Sequence, residues 1–131
     1  MLAVVALAAC GSDGERENTL RPPAPINVTA AIDDRRVRVS PRSFGAGPVV
    51  FVIANRSVLA QEVTFETDEV AGDTGGIRRS SGPIAARSTG TLKVDVPEGT
   101  YRLGASSEEI RPAAVEVTEP RPSAQDALLQ P

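Results

Sequence analysis

The sequence predicts an all-β protein, a Greek-key β-sandwich of about seven strands. Three observations predict it. Apolar and polar residues alternate over short runs between Ile26 and Val117. Turn-forming residues such as Asp33-Asp34 and Pro97-Glu98-Gly99 punctuate those runs. No stretch keeps the 3.6-residue apolar period of an amphipathic helix.

The strands follow in order. In INVTAAI, Ile26, Val28, Ala30 and Ile32 share one face. RRVRVS sets Val37 and Val39 against Arg36 and Arg38. GPVVFVIAN is apolar without a break from Val49 to Ala54, the pattern of a central strand buried on both faces. QEVTFET turns Val63 and Phe65 inward and Glu62, Thr64 and Glu66 outward. TLKVDV opposes Leu92, Val94 and Val96 to Lys93 and Asp95. TYRLGA places Tyr101, Leu103 and Ala105 together, and AAVEVT closes the set with Val115 and Val117. The Gly-rich piece from Asp68 to Pro83 is expected to be one long loop.

Composition narrows the chemistry. A chain of 131 residues suits one domain. Four aromatic residues leave a core built mostly from Val, Ile, Leu and Ala. The net charge of −3 gives no electrostatic reason to expect nucleic acid. The chain has no histidine, which removes Ser-His-Asp and Cys-His catalysis and the commonest metal ligand. No nucleophile stands with a base: the only lysine, Lys93, alternates outward beside Asp95. The chain is therefore read as non-catalytic, with no cofactor. One cysteine cannot make a disulfide within the chain.

That cysteine follows MLAVVALAA, an apolar run of nine residues. The run is too short to span a membrane, which takes about 20 residues. It fits the apolar part of an export signal. Leu7, Ala8, Ala9 and Cys10 resemble the lipobox of bacterial lipoproteins. The resemblance implies cleavage before Cys10, a lipid on its sulfur and a chain held at the cell membrane on the extracytoplasmic side. Two acyl chains suit a stable anchor, since each buried CH₂ contributes about 0.8 kcal/mol. GSDGERENTLRPPAP then has the composition of a linker. The expected organisation is a signal peptide at 1–9, lipidated Cys10 with a linker over 10–25, the sandwich at 26–118 and a Pro-rich tail at 119–131.

GPVVFVIANRSVLAQEVTFE and IAARSTGTLKVDVPEGTYRLGAS together resemble a cupredoxin-like domain over nearly all of 26–118. The spacing is most similar to the EfeO-type domain associated with extracytoplasmic iron uptake. Independently of any family, Pro97 and Gly99 suit a tight turn. Tyr101 just after it resembles the tyrosine corner of Greek-key sandwiches, a structural role. A cupredoxin copper site takes two histidines and a cysteine, with a weak axial Met. The resemblance puts the first histidine near Gln61 or Glu62 and the cysteine at Ala105, and SSEEIRPA supplies neither remaining ligand. A blue-copper site is not expected.

Other candidates are weaker. Glu62 and Glu66 share a strand face, with Asp68, Glu69 and Asp73 in the loop beyond, and oxygen ligands suit Ca²⁺ or Fe³⁺. Arg78 and Arg79 could attract an anion. The sequence thus points to a tethered binding or interaction module with a membrane contact through Cys10 and an envelope protein as partner. A carboxylate-based iron-binding protein associated with metal uptake is the alternative.

Overall fold

The computed structural model describes residues 22–68 and 76–123. The readings placed on Cys10, Glu69, Asp73 and the tail beyond Ser123 lie outside them. The described residues form eight strands: β1 (Ile26–Ile32), β2 (Val37–Ser40), β3 (Ser43–Asn55), β4 (Val63–Thr67), β5 (Arg78–Ser80), β6 (Thr89–Val96), β7 (Gly99–Ala105) and β8 (Ala113–Pro120).

They form two layers joined by β3. Its second part, Gly47–Ala54, pairs antiparallel with β6, and over Val49–Asn55 it runs parallel to β1, which carries β2 on its outer edge. Its first part, Ser43–Ala46, runs parallel to β8, and β7, β4 and β5 continue that layer. A register break between Gly45 and Ala46 lets the strand cross from one layer to the other. Gly47 sits at this crossing with φ 129°, and a Cβ there would come 2.9 Å from Pro23 Cγ. Glycine suits both constraints.

The inward faces make one core. Val28, Phe51, Ile53 and Val94 come from one layer, and Phe65, Tyr101, Leu103 and Val115 from the other. The four aromatic rings form a chain through it. Phe44 meets Phe51 edge-on at 6.3 Å, Phe51 lies 5.0 Å from Phe65, and Phe65 stacks on Tyr101 at 4.8 Å. With so few rings, their contact supplies directional packing that aliphatic residues lack.

Two expectations about individual strands are corrected. The run Val49–Ala54 is not buried on both faces: Val49, Phe51 and Ile53 are buried, while Val50, Val52 and Ala54 are half-buried. No described element covers the outer face of that layer, so the strand alternates despite its apolar composition. The piece Asp68–Pro83 is not wholly irregular, because β5 pairs with β4 within it. Its residues Arg78, Arg79 and Ser80 are all exposed, so they carry no apolar alternation to reveal a strand. β8 continues to Pro120, and Arg121 just beyond it donates to the carbonyls of Ala24, Gly45, Ala46 and Pro48.

Candidate functional site at the Gln61 end

β3 ends at Asn55, which is buried. Its Nδ2 donates to the carbonyls of Leu59 (2.8 Å), Ile84 (2.9 Å) and Ala85 (3.3 Å). Its Oδ1 accepts the Ser57 N–H (3.0 Å) and the Ser57 hydroxyl (2.6 Å). One side chain thus folds the β3–β4 connection back on itself and ties it to the segment before β6. An amide in that place has the donors and acceptor for both tasks.

Gln61 continues the closure. Its backbone exchanges both hydrogen bonds with Ile84. Its side chain is 2% exposed and reaches across to the residues after β7. Nε2 donates to Ser107 Oγ (3.1 Å), and Oε1 accepts the Ser106 hydroxyl (3.0 Å) and the Ser107 N–H (3.1 Å). Ser106 Oγ in turn accepts the Glu62 N–H. Val63 pairs antiparallel with Ala105, so the same register continued puts position 61 opposite Ser107. Among the described residues no buried side-chain nitrogen or oxygen lacks a partner. Networks satisfied in this way rigidify the region they tie together.

This is the end where the cupredoxin resemblance would place a metal. Of the two positions left open there, Gln61 is the inward one and Glu62 is exposed. Type 1 copper needs imidazole and thiolate donors. Here Gln61 has both amide atoms engaged within the protein, Ala105 has no donor atom, and Ser106 and Ser107 are bonded to Gln61. These residues do not fit that copper site.

Glu62 and Glu66 are not brought together as a pair. Glu62 projects into solvent. Glu66 is held between arginines of the two neighbouring strands, with Arg102 Nη2 at 2.7 Å and Arg78 Nε at 3.7 Å. Arg102 and Arg78 are its direct cross-strand neighbours, which is the arrangement that favours opposite charges on a sheet. Among the described residues no group of three or more His, Cys, Asp or Glu gathers at one point. Arg79 donates to the carbonyl of Arg78.

Tyr101, Pro97 and Gly99 lie at the opposite end. Tyr101 Oη donates to the Pro97 carbonyl at 2.8 Å, while its ring lies in the core. Burial pushes its phenol pKa above 10.0, because the anion would be poorly solvated. Gly99 has φ 154°. Sequence reasoning did not find the Asn55–Ser57–Gln61 network or the Arg121 clamp. The available signal was two amides, at the end of an apolar run and just before the next, on positions that cores rarely give to polar residues.

No family model matches the chain, and no curated protein matches it. Solved structures do. Auracyanin A, a blue copper protein of Chloroflexus aurantiacus, is 15% identical with a TM-score of 0.50, over 70% of this chain and 99% of its own. A blue copper oxidase from Nitrosomonas europaea is 14% identical with a TM-score of 0.50, over 82% of this chain and 43% of its own. The fold is therefore cupredoxin-like. At these identities the likeness concerns the fold alone.

Proposed function

We propose that the chain is a non-catalytic, membrane-tethered binding module of cupredoxin-like fold, working on the extracytoplasmic side. The observation that carries this reading is the Gln61 closure. The residues at the end of the fold suited to a metal are hydrogen-bonded to each other, and the position suited to a thiolate is Ala105. The lipobox-like Leu7-Ala8-Ala9-Cys10 supports the tether, and the linker composition after it supports a domain held away from the bilayer. The partner is a protein of the same envelope.

Crosslinking in native membranes, compared between wild type and Cys10→Ala, tests the reading. Wild type is expected in the membrane fraction with a specific crosslinked partner, and Cys10→Ala is expected to leave that fraction. A variant that stays membrane-bound overturns the anchor. Titration of the full chain with Fe³⁺ and Cu²⁺ tests the carboxylate alternative. Stoichiometric uptake lost on Glu62→Gln would favour the metal carrier over the module.

A further inference from the structure

A groove of about 600 Å³ runs along the side of the sandwich where the edge of β2 meets the start of β8. Two staples bound it. At one end Arg36 and Arg111 bridge, with Val37 N–H on the Arg111 carbonyl (2.8 Å) and Arg111 N–H on the Arg35 carbonyl (2.9 Å). At the other, the Glu116 N–H donates to the Arg42 carbonyl (2.8 Å). Arg36, Arg38, Arg42 and Arg111 line the groove, and no carboxylate does. That concentration stands out in a chain whose net charge is −3.

We propose that this groove receives an extended, carboxylate-bearing segment of a partner protein, added along the outer edge of β2. The inference rests on the reading of the domain as a binding module and names its surface. Val37 turns its N–H away from β1 and into the seam, so Val39, two residues on, presents its backbone to the same side. Among the described strands β2 pairs with β1 alone, and the Arg111 bridge takes its outer edge at Val37, which leaves the Val39 backbone open to strand addition.

The charges select the occupant. Arg38 is paired with Asp33, whose carboxylate also accepts the Arg35 and Arg36 N–H groups. The side chains of Arg36, Arg42 and Arg111 have no ion pair or hydrogen bond among the described residues, although Asp33 and Asp34 share an adjoining cleft with Arg36 and Arg111, and Asp68 and Glu116 border Arg42 on its far side. Guanidinium favours planar carboxylates and can bind them in pairs of hydrogen bonds. A second copy of this edge would bring arginines against arginines, so the charge disfavours self-pairing.

The test uses the full chain and a labelled nine-residue peptide alternating glutamate and threonine. A lysine–threonine peptide and inorganic phosphate are the comparison probes. The acidic peptide is expected to bind saturably, to weaken as salt rises, and to slow hydrogen exchange at the Val39 amide. Arg36→Gln with Arg111→Gln is expected to lower its affinity at least tenfold, and Arg79→Gln to leave it unchanged. If the double variant does not fold, Arg42→Gln carries the same expectation of weaker binding. Equal binding of the lysine peptide overturns the proposal, as does unchanged affinity in the groove variants. So does phosphate binding as tightly as the peptide without protecting Val39. A chain that captures a partner in membranes yet ignores the acidic peptide overturns the groove and leaves the module reading standing.

Discussion

The Gln61 end and the β2 edge treat polar groups in opposite ways. At the Gln61 end, Asn55, Ser57, Gln61, Ser106 and Ser107 bond to each other and to nearby backbone. Along the β2 edge, Arg36, Arg42 and Arg111 stand exposed around an open groove. A network with its polar atoms engaged stabilises the fold and offers little to a ligand, whereas exposed arginines with no bonded carboxylate do the reverse.

Substitutions separate the two regions by size of effect. Asn55→Ala is expected to be the most damaging, because it strips partners from buried backbone on both sides of the closure. A loss of about 3 kcal/mol in chemical denaturation is expected, at 1–3 kcal/mol per group left unsatisfied. A loss below about 1 kcal/mol would mean the closure is not structural. Gln61→Ala should cost about 2 kcal/mol by the same argument, since it leaves the Ser107 N–H without its acceptor. Replacing Ser106 and Ser107 by alanine as well should cost less than the sum of the separate changes, because the two hydroxyls that Gln61 engages are removed with it. Tyr101→Phe keeps the ring stack and loses one hydrogen bond to Pro97, for about 1 kcal/mol. On the β2 edge, Arg36→Gln, Arg42→Gln and Arg111→Gln should each change stability by less than about 0.5 kcal/mol. A larger loss at any of them would place that arginine with the structural groups.

Charge gives the finest distinction. The Arg35 and Arg36 N–H groups, reinforced by the Arg38 and Arg36 guanidiniums, hold the Asp33 carboxyl below its ordinary value of 3.8. The stability it contributes is present above the ordinary carboxylate pKa and is lost as pH falls through the lowered one. NMR titration of the side chain should show the depressed value, and Arg38→Gln should move it upward. An Asp33 that titrates at or above its ordinary value would contradict the turn geometry.

The fold was legible because alternation was clean where one face of a strand is buried. β1, β4, β6, β7 and β8 all announce themselves by period two, and Asp33-Asp34 and Pro97-Glu98-Gly99 mark turns between strands. The run Val49–Ala54 misled because composition alone reports no neighbour. Val50 and Val52 are apolar residues on a face that no described element covers. β5 was hidden for the opposite reason, as an exposed edge with no apolar side to display. The resemblance narrowed the metal end to two positions, Gln61 and Glu62, and their burial separates them. The closure itself was not legible. It depends on Gln61 meeting residues some 45 positions further along the chain, and local patterning carries no such pairing.

Copper is the sharpest probe of the Gln61 end, where the residues form a hydrogen-bonded closure in place of a metal site. The measurement is a ¹H–¹⁵N spectrum of the full chain during Cu²⁺ titration, read at the Gln61 side-chain amide and the Ser107 backbone amide. Both signals are expected to keep their positions and intensities as copper is added. Saturable loss or shift of both at one equivalent of copper would contradict it.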